Sequence, residues 1–164
     1  MLQISRMPEV RAEMLIRKPV REVFEAFVDP DITTQFWFTK SSGRLEQGKR
    51  VRWDWEMYGA WDELLVEELV PEKMIRVIWS DGSRTEWQFS PRGEDAALVS
   101  IVTRDLPGED GDLVAAALDQ MGGYTIVLCG LKAWLEHGIR LNAVADKSPD
   151  AIVQEYMREG KAQS

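Results

Sequence analysis

A chain of 164 residues with 45% hydrophobic and 29% charged side chains is one domain's worth of material, with enough apolar residues for one core and too few for two. Its 28 acidic against 20 basic residues give a formal charge of −8, so a nucleic-acid backbone would repel it, and one cysteine supplies neither an internal disulfide nor a thiolate set for zinc. Apolar stretches fall short of the ~20 residues of a spanning helix and Met1 to Met7 lacks a signal-peptide core, which predicts a soluble, cytoplasmic protein with no membrane partner.

In chain order, Val10, Ala12, Met14 and Ile16 alternate with Arg11, Glu13 and Leu15, the period of a half-buried strand. Pro19 then opens an amphipathic helix with Val20, Val23, Phe24, Phe27 and Val28 on one face, stopped before Asp29-Pro30. A second short helix is expected from Asp31 to about Phe38, capped by Asp31, with Thr33 and Thr34 toward solvent. From Arg44 to Asp105 the pattern predicts a meander of six strands. Val51, Trp53, Trp55 and Met57 share one face, as do Ile75, Val77 and Trp79, then Thr85, Trp87 and Phe89, then Val99, Ile101 and Thr103. Asp81-Gly82 suits a tight type I′ hairpin. Asp112 is the expected cap of a long helix running to His137 and closed by Gly138, with Leu118, Met121, Tyr124, Leu128, Leu131 and Leu135 as its stripe. Gly122, Gly123 and Gly130 inside that helix predict a close approach or a kink. Ser148-Pro149-Asp150 opens a last short helix with Ile152, Val153, Tyr156 and Met157 as its apolar edge.

The order of elements predicts an α+β fold in which a curved antiparallel sheet of six to seven strands wraps a long C-terminal helix, with two short helices after the first strand. Lys18-Pro19-Val20-Arg21-Glu22-Val23-Phe24, continuing to Asp29-Pro30, resembles the opening helix of the START-like, or SRPBCC, helix-grip superfamily, and Trp37 stands where that superfamily commonly has a tryptophan. Met121 to Gly138 resembles the terminal helix of the branch of activator of heat-shock protein 90 ATPase homologues, with Gly123-Tyr124 in place of the usual Gly-Trp pair. This resemblance spans Val10 to Gly138, which sets the expected domain at residues 1–138 and leaves 139–164 as an extension.

Candidate chemistry is sparse. His137 lies in a last helical turn where a cation suits the dipole, and Cys129 reads as a small hydrophobe. Asp54 and Glu56 share a strand face with Arg50 and Arg52, a ladder of alternating charge. Glu67 and Glu68 point to opposite faces of a regular strand, so either one of them enters a pocket, where desolvation would raise its pKa, or both stay wet in a frayed or edge register. Neither a catalytic set, a metal site nor a cofactor is predicted.

Seven tryptophans are the distinctive feature, and they imply either a bulky core or a lined cavity. The predicted ligand-contacting set is Trp37, Trp53, Trp55, Trp79, Trp87, Met121, Tyr124 and Leu128, between sheet and long helix. The leading expectation is binding of a small hydrophobic or aromatic molecule there, with Tyr124 as the polar contact. The resemblance implies two alternatives: a co-chaperone-like interaction module whose partner is a chaperone or a second copy, or a polyketide cyclase or aromatase-like enzyme.

Overall fold

Residues 3–159 are described by the structure, a computed structural model; expectations touching residues 1, 2 and 160–164 lie outside the described residues. The alternation at the start produces β1, Val10–Ile16, which buries Val10, Ala12 and Ile16 and leaves Arg11 and Glu13 outside. Next come α1, Val20–Val28, and α2, Pro30–Thr33. The second helix is shorter than predicted and its cap is Asp29, whose side chain accepts the Asp31 N–H. Thr33 is fully buried, because its hydroxyl donates back toward the main chain of α1, with Ala26 O at 2.6 Å.

The sheet continues with β2, Lys40–Ser41; β3, Arg50–Trp55; β4, Ala60–Val70; β5, Met74–Trp79; β6, Arg84–Pro91; and β7, Ala97–Arg104. All neighbours are antiparallel, in the order β1-β7-β6-β5-β4-β3-β2, so the first strand returns beside the last. The meander therefore has its six strands, but the first is a two-residue stub upstream of Arg44. Met57 is buried, as its parity suggests, in a 3-10 turn after β3 rather than in the strand.

Two local departures have physical causes. Only Gly82 of the Asp81-Gly82 pair has a positive φ, of 86°, so a type I′ turn does not form; Trp79 pairs with Ser83 across a three-residue loop closed by Gly82. In β4 the register slips between Val66 and Glu68, a bulge that leaves Glu67 as the extra residue. Glu67 stays exposed, beside a groove it lines with Arg76 and Arg84, and Glu68 pairs with Arg76 at 2.9 Å on the outer face, so neither borders the space between the tryptophans and the long helix.

The long helix, α3, is Asp110–His137, three residues longer at its start than expected, with Glu109 in the cap position and Gly138 closing it at φ 65°. By length and composition it is apolar enough to cross a membrane, contrary to the reading of the sequence. Yet Leu113, Tyr124, Val127, Leu128 and Leu131 are buried in the core cluster, which makes it the gripped helix of a globular domain. Its stripe is not continuous: Leu118 and Met121 are 66% and 43% exposed. Gly130 is the close approach, since a Cβ there would lie 3.2 Å from both Cβ and O of Phe36.

Beyond Gly138 the chain folds back. It forms α4, Ala143–Asp146, a 3-10 turn Pro149–Ala151, and α5, Gln154–Arg158, in place of one helix from Ser148. Two hydrogen bonds dock it on the turn after β3: the Tyr58 hydroxyl donates to Val144 O, and Val153 N donates to Met57 O at 2.9 Å.

Candidate functional site

Because the inward strand residues share one parity, β3, β5 and β6 deliver Trp53, Trp55, Trp79 and Trp87 to the same side of the sheet, and the segment after α2 adds Trp37 and Phe38. These rings form one contiguous cluster. Phe38 stacks on Trp53 at 4.2 Å, Trp37 meets Trp53 at 5.0 Å and Tyr124 at 6.2 Å, and Trp53 meets Trp79 at 5.6 Å.

The cluster divides into a core and a wall. Trp53 and Trp87 are 1% and 0% exposed and lie behind the surface as packing. The Trp87 Nε1–H finds no acceptor among the described residues, a penalty of ~1–3 kcal/mol set against the burial of a whole indole. Trp37, Trp55, Trp79 and Tyr124 instead border an open cleft of about 420 Å³, closed on its other sides by Gly123 and Val127 of α3 and by Lys147 and Ser148 of the extension. Gly123 leaves that space free, with nothing within 4 Å of where its Cβ would be.

Four of the eight predicted residues thus line the cleft. Leu128 is wholly buried beneath it, and Met121, one turn before Tyr124 on α3, is exposed to solvent and does not border it. Tyr58, Gln120, Val127, Lys147 and Ser148 also line it and were not foreseen. Tyr58 followed by Gly59 read only as the end of a strand, and the Ser148-Pro149 pair only as the start of a helix.

The polar side of Tyr124 is turned inward rather than toward a ligand. Its hydroxyl lies 3.2 Å from Thr85 Oγ1 and accepts from Thr103 Oγ1 at 3.1 Å; the two threonine hydroxyls are 2.7 Å apart, and Trp79 Nε1 donates to Thr85 Oγ1 at 2.7 Å. Three hydroxyls in a triangle hold three protons, one for each edge, so the ring is self-contained and pins α3 to β6 and β7. Burial pushes the Tyr124 phenol above its ordinary pKa, opposed by its hydrogen bonds with Thr103 and Thr85. Burial also raises Tyr58, opposed by hydrogen bonds from Ser148. Gln120 borders the cleft with its Oε1 shut off from water and without a partner among the described residues. The charged residues of the lining are Lys147 and Asp119, with Nζ and Oδ1 3.8 Å apart. On the outer face of β3, Arg52 pairs with Asp54 at 2.6 Å, which is the charge ladder read from the sequence.

An open antiparallel sheet gripping one long helix, with an aromatic cleft where the two part, defines a helix-grip α+β protein. The family model described as activator of Hsp90 ATPase homolog 1-like protein matches residues 17–164, and the chain belongs to that family. The match runs past Gly138, so the extension lies inside the matched stretch. Protein SSP2350 from Staphylococcus saprophyticus is 31% identical, with 82% of this chain and 96% of that one covered at a TM-score of 0.72. DynU16, from the dynemicin biosynthetic locus, is 24% identical over 80% of this chain and 48% of its own, at a TM-score of 0.70. The Aha1 dimer from Colwellia psychrerythraea shares the fold at 19% identity, 80% and 98% coverage and a TM-score of 0.69. A search of curated proteins returned no match.

Proposed function

We propose that this protein binds a small aromatic or otherwise apolar molecule in the cleft between α3, the tryptophan-bearing strands and the C-terminal extension. The observation that carries the reading is an open space of about 420 Å³ walled by Trp37, Trp55 and Trp79 and left unfilled at Gly123. Indole rings offer large, rigid contact area at little entropic cost. Titration with the neutral fluorophore N-phenylnaphthylamine, followed by energy transfer from the tryptophans, tests it. Saturable binding that Gly123→Leu abolishes supports the reading, and binding that this variant leaves intact overturns it.

A second reading, an interaction module of the heat-shock protein 90 ATPase activator type, draws on the family's description and on one surface. Val114, Leu118 and Met121 fall at i, i+4 and i+7 of α3 and are exposed together. Native mass spectrometry of the protein taken from its own host separates the two: a retained small molecule favours the first, a retained protein chain the second.

A further inference from the structure

We propose that the C-terminal extension completes the cleft with a cationic contact, Lys147, and that the site therefore selects aromatic or apolar molecules bearing an anionic group over neutral ones. This rests on the binding reading above and adds the chemical class of the ligand.

The placement of Lys147 is built by three features. The segment carrying it is held at both ends, by Tyr58 on Val144 O and by Val153 N on Met57 O, so the residue is fixed over the cleft rather than carried on a loose tail. Its tip rests against α3 at Gly122, where a Cβ would be in ordinary contact at 3.5 Å from Nζ and 3.7 Å from Cε. Third, the ammonium is only loosely engaged. Asp119 Oδ1 is 3.8 Å away, beyond hydrogen-bond distance, and its side chain is 83% exposed. The Tyr58 hydroxyl is engaged with Val144 O, which leaves the Lys147 ammonium as the charged donor of the lining. An acid group seated there meets a positive charge beside low-polarity indole walls, where Coulomb attraction is screened less than in open water. A ligand with its rings against Trp55 and Trp79 and its acid on Nζ satisfies both sides of the cleft.

The experiment compares two probes of one shape, anilinonaphthalene sulfonate and uncharged N-phenylnaphthylamine, on the full chain and on Lys147→Gln, Asp119→Asn and Gly123→Leu. Lys147→Gln should weaken the sulfonate about five-fold and leave the neutral probe unchanged, in line with a half-exposed ion pair. Asp119→Asn should strengthen the sulfonate by removing a competing charge, a gain that a merely structural role for these residues would not produce. Added salt should narrow the gap between the probes. If both probes bind and the variants leave their affinity ratio unchanged, the charge selection is overturned while the cleft stands as a binding site. If neither probe binds, or both bind equally well to Gly123→Leu, the cleft reading itself falls and the selection with it.

Discussion

Thr85 is the point at which the buried polar ring is most vulnerable. Valine at this position keeps the branched shape and removes an oxygen with three contacts: Trp79 Nε1 at 2.7 Å, Thr103 Oγ1 at 2.7 Å and the Tyr124 hydroxyl at 3.2 Å. Thr103 and Tyr124 remain bonded at 3.1 Å, but their two protons now share one acceptor pair, so one fully buried hydroxyl proton is stranded, and the indole N–H must turn to water at the cleft. With ~1 kcal/mol for each lost bond and ~1–3 kcal/mol for a stranded donor, Thr85→Val should cost ~2–3 kcal/mol. Tyr124→Phe removes only the two longer edges and leaves Trp79 and the threonine pair intact, for ~1 kcal/mol. Combining the two should cost less than their sum, because they break shared bonds. Equilibrium urea unfolding, followed by tryptophan fluorescence and circular dichroism, measures all three. A Thr85→Val variant as stable as the parent, or no less stable than Tyr124→Phe, would refute the closed ring.

The glycines of α3 should diverge. Gly130→Ala should destabilise by ~1 kcal/mol or more because Phe36 backbone and Cβ stand 3.2 Å from the new methyl, whereas Gly123→Ala, with open space, should gain up to ~1 kcal/mol of helix propensity in the same unfolding assay. Leu128→Trp should cost ~1–3 kcal/mol or more by overpacking a fully buried site and should leave probe affinity in the cleft unchanged. Glu136 takes the Arg17 N–H and the Lys132 ammonium; burial pushes its carboxyl up, but those bonds outweigh it and hold the pKa below 4.5. A lowered folded-state pKa gives stability that is present above that ordinary value and lost as pH falls through the folded one, so the melting-temperature gap between parent and Glu136→Gln should shrink from about pH 6 to about pH 3. Deleting residues 144–164 should leave cooperative unfolding, since Val144 is the extension's main contact with the core; loss of all cooperativity would make the extension part of the domain.

Strand faces were legible because alternation is a local signal, and Val51, Trp53, Ile75, Val77, Trp87 and Phe89 are buried as their parity dictates. Thr33 was misread because its partner, Ala26 O, belongs to the preceding helix, and residue type alone says nothing of that. The choice between a pocket and a wet register for Glu67 and Glu68 was not legible, because a bulge breaks the parity on which it turned. Periodicity placed Leu118 and Met121 on the same stripe as Tyr124 and Leu128 but carries no information on where the sheet ends. Half of the cleft was hidden for a similar reason. Lys147 and Ser148 reach it through a segment whose position is set by Tyr58, almost ninety residues earlier in the chain, with no repeating pattern to announce it.

The two ends of the sheet govern how copies of this chain can meet. One border is only Lys40 and Ser41, followed by a turn in which Ser41 Oγ accepts the Gly43 N–H and donates to Gly43 O. At the other, the Leu15 carbonyl is taken by Lys132 and the Arg17 amide by Glu136, both from the helix crossing behind β1. The two-residue strand offers a visiting strand almost nothing to pair with, and at the other border α3 closes the C-terminal end of β1 to such pairing. Backbone pairing between copies is thereby narrowed to the N-terminal stretch of β1, whereas self-recognition through side chains on the helical surfaces could be tuned by a point substitution without touching the sheet.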